Sequence, residues 1–225
     1  MVRSTRKAEG RAGSDNDTSA AILDAAQRLF LVSGYDGVNL DQIGTAASVS
    51  RQTVYNQFGS KEAVFRAVVQ RHWDTIRAET GSSFAMHPDT ATDPAHVLRR
   101  FAAALVRFMS ETDQIAFTRL VIAESRRVPW IAEEFYRAGK EPIQKAFTGA
   151  LALMTERGLI RCASPELAAR QFMGLIQEFI IWPRVMAIDE AVAGLPSSEL
   201  VIEEAVSTFL ARYARSESRP AAREA

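Results

Sequence analysis

Cysteine and histidine are scarce in these 225 residues: one thiol, Cys162, and three imidazoles, His72, His87 and His96. A single cysteine excludes an internal disulfide and a cysteine-built metal site, and it reads as a structural thiol before it reads as half of a redox pair between subunits. The histidines are scattered, without the His-Glu-x-x-His spacing that sets two imidazoles on one helical face. A glycine-rich phosphate loop and a serine nucleophile elbow are missing too, so an enzyme has no visible centre, and neither cofactor nor metal is expected. No stretch reaches the roughly 18 apolar residues of a membrane span, and the charged N-terminus lacks the apolar core of a signal peptide. The expectation is a cytoplasmic protein with no membrane partner. Net charge is also absent, with 27 Lys and Arg against 27 Asp and Glu. No global basic field steers this chain to nucleic acid, so any DNA affinity has to come from a local patch.

What is present concentrates in residues 39–61, NLDQIGTAASVSRQTVYNQFGSK. Asn39 can cap a short helix, with Gln42 three positions on closing a capping box. Leu40, Ile43 and Ala47 then fall on one helical face. Ser48, Val49 and Ser50 form a tight turn in which Val49 is an apolar plug and Ser50 caps a second helix. In that helix Val54 and Phe58 point inward, leaving Gln52 and Asn56 opposite and Arg51 and Tyr55 on a flank. Gly59 stops it in the left-handed region, and Ser60 restarts a third helix at Lys61 and Glu62. Two short helices joined by a tight turn, the second presenting Arg51, Gln52, Thr53, Tyr55 and Asn56, make a helix-turn-helix.

The chemistry of that face suits DNA. Arg pairs with the guanine O6 and N7 acceptors, Gln or Asn with adenine, and a Thr methyl with the thymine methyl. Asn39, Tyr55 and Lys61 suit phosphates, Lys61 also through the adjoining helix start. A plain helical hairpin with a solvated outer face is the alternative, but the face lacks the long Glu/Lys pattern of such a surface.

At this point the stretch SVSRQTVYNQFGSKEAVFRAVV resembles the TetR/AcrR family of bacterial transcriptional regulators. The shared features are the Val-Ser turn, two variable positions, then Thr, an aliphatic residue, Tyr, Phe and a Ser-Lys-Glu helix start. Two positions depart from the family pattern: Ser48, where glycine is common, and Gly44, where alanine is common. Ser48 should bear mild backbone strain, and Gly44 should loosen the supporting helix by up to about 1 kcal/mol.

The remaining chain reads as all-α. Residues 1–17 contain almost nothing apolar and are expected to be a disordered arm. It reads as a solvated tail before a phosphate-binding arm. Thr18 or Ser19 should cap a helix with Ile22, Ala25, Ala26, Leu29 and Phe30 inward, ended by Gly34. This three-helix head spans 18–60, and a larger helical domain spans 61–215. A long helix from Lys61 to about Thr80 carries Val64, Phe65, Val68, Val69, His72, Trp73 and Ile76, and GSSFAMHPDTATDP then breaks the chain. Asp93-Pro94, Ser164-Pro165 and Ser197 or Ser198 are further helix starts. Pro142, inside the pattern that begins at Pro129, predicts a kink or interruption. A wide apolar face is expected on the segment after Gln114, with Ile115, Phe117, Leu120, Val121 and Ile122. Residues 216–225 read as a polar tail.

The segments RLVIAESRRVPWIAEEFYRAGKEP and RGLIRCASPELAARQFMGLIQEFI are similar to the C-terminal domain of AefR-like TetR regulators. The resemblance implies a ligand-responsive regulator, usually a repressor: a homodimer built by the last two helices, a palindromic DNA operator, and a small-molecule inducer. It implies an inducer pocket among the central helices. Phe101, Phe108, Phe117, Trp73 and Phe172 are candidates to line it, with His72 beside Trp73 and an inward Arg119 to receive a ligand carboxylate. Core packing is the competing role for each aromatic, and a hydrogen-bonded core histidine is the competing role for His72. An apolar lining favours a lipophilic or aromatic inducer. A helical carrier or interaction protein that has lost DNA binding is the alternative, and the presence of Arg51, Gln52, Tyr55 and Lys61 argues against it.

Overall fold

The computed structural model describes residues 5–84, 93–188 and 194–215, with side chains described over 16–74, 93–188 and 194–215. Within them the regular structure is helical: α1 Thr5–Ser33, α2 Leu40–Ala46, α3 Arg51–Phe58, α4 Lys61–Phe84, α5 Pro94–Glu111, α6 Gln114–Glu124 and α7 Pro129–Phe135. A π-helical turn, Tyr136–Lys140, leads into α8 Glu141–Glu156, followed by α9 Pro165–Ile180, α10 Trp182–Val185 and α11 Ser198–Tyr213. The β pairing seen in them is one isolated antiparallel bridge between Ile160 and Ala214.

The helix starts follow local chemistry. Asp93 accepts from Ala95 N ahead of Pro94, Ser164 from Leu167 N ahead of Pro165, and Ser197 from Leu200 N. Proline at the first turn costs nothing there, because its missing N–H would have had no intrahelical partner. Pro142 acts as expected for an interruption: it lies in the first turn of α8, directly after the π-helical turn. A widened turn gives room where the pyrrolidine ring would otherwise meet the preceding carbonyls.

Two expectations are corrected. The first helix begins at Thr5, not at a cap on Thr18 or Ser19, so the arm expected to be disordered is helical from residue 5. Extending an existing helix escapes the cost of nucleation, and this offsets the poor helix formers Gly13, Ser14, Asp15, Asn16 and Asp17 that the extension crosses. Likewise α4 continues through Gly81 to Phe84; residues 85–92, the rest of the expected break, and the tail 216–225 lie outside the described residues.

The chain divides into two compact units, Met1–Thr75 with Ala116–Gly139, and Ile76–Ile115 with Lys140–Ala225. The first unit therefore holds more than residues 18–60: α7 and most of α6 join the reading head. Its core carries Phe30, Tyr35, Phe65 and Trp130 in edge-on and stacked contact, with centroids 5.2 to 5.8 Å apart. Aromatic quadrupoles favour such arrangements over a face-to-face sandwich. In the same unit Gly139 is a steric requirement, since a Cβ there would overlap the Trp73 indole.

The second unit is centred on a chain of phenylalanines. Phe101 stacks on Phe147 at 3.8 Å between centroids, Phe147 lies 5.5 Å from Phe172, and Phe172 meets Phe209 edge-on at 5.4 Å. Arg99 binds Glu203 with two guanidinium nitrogens at 2.7 and 2.8 Å, joining α5 to α11. That hydrogen bond is the main reason the Glu203 carboxyl is held below its ordinary range.

Candidate nucleic-acid interface

The supporting helix is fixed at its start by a complete capping box. Asn39 Oδ1 accepts from Asp41 N and Gln42 N at 3.0 and 2.9 Å, and Gln42 Oε1 accepts from Asn39 N at 2.8 Å. Ser48 takes a positive φ of 57° in the turn, the strain that a non-glycine residue bears there. Gly44 departs from expectation. A Cβ at this position would lie 2.9 Å from Val49 O and 3.2 Å from Arg51 N, so the missing side chain lets α2 approach the turn that launches α3.

Ser50 caps α3: its Oγ accepts from Thr53 N at 3.0 Å and lies 2.9 Å from Thr53 Oγ1. Val54 is fully buried and Phe58 half-buried, so the inner face of α3 faces α2 and the core. Arg51, Gln52, Tyr55 and Asn56 are exposed on the other side, and Thr53 is half-buried. Gln52 Nε2 donates to Asn56 Oδ1 at 2.7 Å, which orders two amides one helical turn apart. The helix ends at Gly59, φ +78°, whose N–H returns to Tyr55 O at 2.7 Å.

Lys61 is tied into the head. Its ammonium donates to Tyr35 O at 3.0 Å and sits 4.3 Å over the Tyr35 ring. One of its three donors is thus engaged, and the charge is held at Tyr35, in the turn between α1 and α2. Arg66 stacks on Trp130 at 4.6 Å and pairs with Glu62 and Glu134. Burial raises the Tyr35 phenol above its ordinary value, with the charges of Glu62 and Asp36 adding to the effect.

Sequence reasoning missed the group that holds the α1–α2 turn. Glu124 pairs with Arg127, three residues on along the chain, at 3.2 Å. The carboxylate is also buried, with its Oε1 accepting from Tyr35 N at 3.0 Å, and Arg127 continues to Asp36. The local signal was an acid inside an apolar helix; its partner on α1–α2 had no signal at all.

The candidate ligand residues separate into two groups. His72, Trp73 and Phe117 pack together in the first unit, His72 being buried with its ring 4.2 Å from Phe117 and 5.4 Å from Trp73. Phe101, Phe108 and Phe172 are buried in the second unit, Phe101 and Phe172 within the phenylalanine core. Arg119 is exposed, correcting its inward placement: a guanidinium turned into apolar packing would need a buried anion to offset desolvation. Ile122 is corrected in the same way, half of its surface remaining open at 50% exposure. Among the described residues no group of three His, Cys, Asp or Glu could hold a metal, and no helix is long and apolar enough to cross a membrane.

A capped helix pair with a polar, donor-rich outer face, carried on a helical body, defines a helix-turn-helix DNA-binding protein. Residues 22–68 match the family model of bacterial regulatory proteins of the tetR family, and residues 96–215 match the C-terminal domain of AefR-like transcriptional repressors. The chain belongs to the TetR family of transcriptional regulators. It is 30% identical over 182 residues to the transcriptional regulator EthR of Mycolicibacterium smegmatis, covering 77% of this chain and 79% of that one. A match to the transcriptional activator FasR of the same organism is 33% identical over 93 residues, or 41% of either chain. The solved structure of the flavonoid-responsive regulator FrrA superposes with a TM-score of 0.71 at 27% identity, covering 89% of this chain and 98% of its own.

Proposed function

We propose that this TetR-family regulator acts in the cytoplasm as a homodimeric repressor that binds a palindromic operator and leaves it when a small lipophilic or aromatic inducer binds. The exposed face of α3 carries the reading. Arg51 and Gln52 take base edges in the major groove with Asn56 and Thr53, while Asn39, Ser50, Tyr55 and Lys61 hold the phosphates. The paired amides of Gln52 and Asn56 support a prearranged reading surface. Two heads related by a twofold axis would meet half-sites about 34–36 Å apart.

A dimer through α9 and α11 is supported by apolar side chains left open on both, Phe179 at 41% and Leu200 at 52% exposure. An aromatic inducer is supported by the apolar, phenylalanine-rich body and by its similarity to a regulator described as flavonoid-responsive.

Selection of bound duplexes from a random pool at physiological salt, with the purified full-length chain, tests the reading. An enriched palindrome with half-sites one helical turn apart is expected. Failure of a folded dimer to enrich any sequence would overturn it. A thermal-shift screen in which only hydrophilic metabolites bound would remove the lipophilic inducer.

A further inference from the structure

Gln52 and Asn56, exposed one turn apart on α3, are bonded to each other: Gln52 Nε2 donates to Asn56 Oδ1 at 2.7 Å. The helix, RQTVYNQF, carries one charged side chain, Arg51, so what it tells apart beyond guanine rests on neutral groups. Gln52 is its second residue, and the first turn of a recognition helix is the part that meets base edges. The Thr53 hydroxyl is engaged with Ser50 Oγ at 2.9 Å and does not compete for the Gln52 amide.

The bond decides which way that amide faces. After donating to Asn56, Gln52 keeps Oε1 as an acceptor and its second Nε2 hydrogen as a donor. An amide held by nothing turns over and offers the two in either order. A half-turn of Gln52 alone would set Oε1 against Asn56 Oδ1, acceptor facing acceptor, so here one order is fixed. A donor beside an acceptor complements adenine, whose N7 accepts and whose N6 donates in the major groove. Guanine presents O6 where adenine presents N6, which sets two acceptors against each other at Oε1. Thymine offers no donor there and cytosine no acceptor.

We infer that Gln52 takes one adenine in each half-site with both groups of its amide, and that Asn56 is a positioning residue that fixes the sense of that amide. The inference rests on the reading of α3 as the operator-binding helix. Asn56 Oδ1 serves Gln52, while the Asn56 Nδ2 donors remain for a neighbouring base.

The test uses the full-length chain and the palindrome it selects from random duplexes, with each A·T pair of the half-site replaced in turn by G·C. One adenine per half-site is expected at which the change weakens binding by roughly tenfold or more, a preference that Gln52→Ala removes. At that pair 7-deazaadenine, which keeps N6 and lacks N7, should bind less tightly than adenine. Asn56→Ala should bring the adenine-over-guanine ratio there towards one, whereas Asn56→Asp keeps an acceptor for Gln52 and should keep the ratio, although its charge lowers affinity for every duplex. A merely structural Asn56 would change affinity for the adenine and guanine duplexes alike and leave their ratio alone. The inference falls, with the operator reading intact, if a selected palindrome has no such adenine, if Asn56→Ala discriminates as wild type does, or if Asn56→Asp loses the ratio as Asn56→Ala does. If folded wild-type dimer selects no sequence, the operator reading falls and this inference with it.

Discussion

Glu124 Oε1 accepts a hydrogen bond from the backbone nitrogen of Tyr35, 89 residues away in sequence, at 3.0 Å. The same oxygen would lie 2.6 Å from a Cβ on Gly34, whose φ is +73°, so the end of α1 is shaped to receive it. Glu124→Ala leaves the Tyr35 N–H without its acceptor and should cost about 1–3 kcal/mol. Glu124→Gln retains a carbonyl acceptor and should cost less. Thermal unfolding, read beside operator affinity, separates the two. Equal losses in both variants would show that the charge facing Arg127 matters and the bond to Tyr35 does not.

Gly44 gives a second test because two effects oppose each other there. Alanine is favoured over glycine inside a helix by about 1 kcal/mol. The added methyl would nevertheless press on backbone, Val49 O at 2.9 Å, which cannot rotate aside like a flexible side-chain end. Gly44→Ala is therefore expected to lower the melting temperature and operator affinity together, by displacing the turn before α3. A more stable variant with unchanged DNA binding would show that the turn yields freely.

These two residues also mark what could be read in advance. The capping box of Asn39 and Gln42, the Ser50 cap and the Asp93-Pro94 and Ser164-Pro165 starts are each encoded within four residues, and each forms. Glu124 with Tyr35, and Gly139 with Trp73, join distant segments that carry no local trace of one another. Side-chain direction was readable where a period was clean, as for Val54. It was not for Arg119 and Ile122 on α6, where apolar residues occupy most of the helix and no face stands out. The extension of α1 back to Thr5 was not legible, because it runs through Gly10, Gly13, Ser14, Asp15, Asn16 and Asp17, which are poor helix formers.

The division of labour on the reading face predicts distinct binding profiles. Arg51→Ala or Gln52→Ala should cost about 1–3 kcal/mol at particular base pairs and relax sequence choice there. Lys61→Ala should weaken all operators alike and reduce the slope of affinity against salt by about one unit. Gln52 is bonded to Asn56, so the Gln52 and Asn56 substitutions should be non-additive. Competition binding against a panel of single-base operator variants, repeated at several salt concentrations, checks all three. Uniform losses for Arg51 and Gln52 would move them to the phosphate group.

Cys162 should be slow to alkylate at neutral pH. Burial raises its thiol pKa above the ordinary 9.0, and the Ser164 backbone N–H and Arg212 charge only partly oppose that. A thiol pKa raised by folding contributes stability that is complete below the unfolded value and lost as pH rises through the folded value. The difference in unfolding free energy between wild type and Cys162→Ala should accordingly be flat near neutrality and fall at alkaline pH. Iodoacetamide reacting at pH 7 as fast as with free cysteine would contradict this.

Phe179 and Leu200 bear on the oligomer. Each keeps about half of its surface open within one chain, yet with Leu175, Pro196 and Val201 they line one apolar groove on α9 and α11. Replacing a half-exposed residue outside the core usually changes stability by no more than about 0.5 kcal/mol. At a twofold interface each substitution occurs twice, and every new carboxylate would have to give up its water against apolar surface. Phe179→Glu with Leu200→Glu should therefore yield helical monomers in sedimentation, with operator affinity reduced to that of a single head while α3 itself is unaltered. If the doubly substituted chain still sediments as a dimer, the twofold axis does not pass through these two helices.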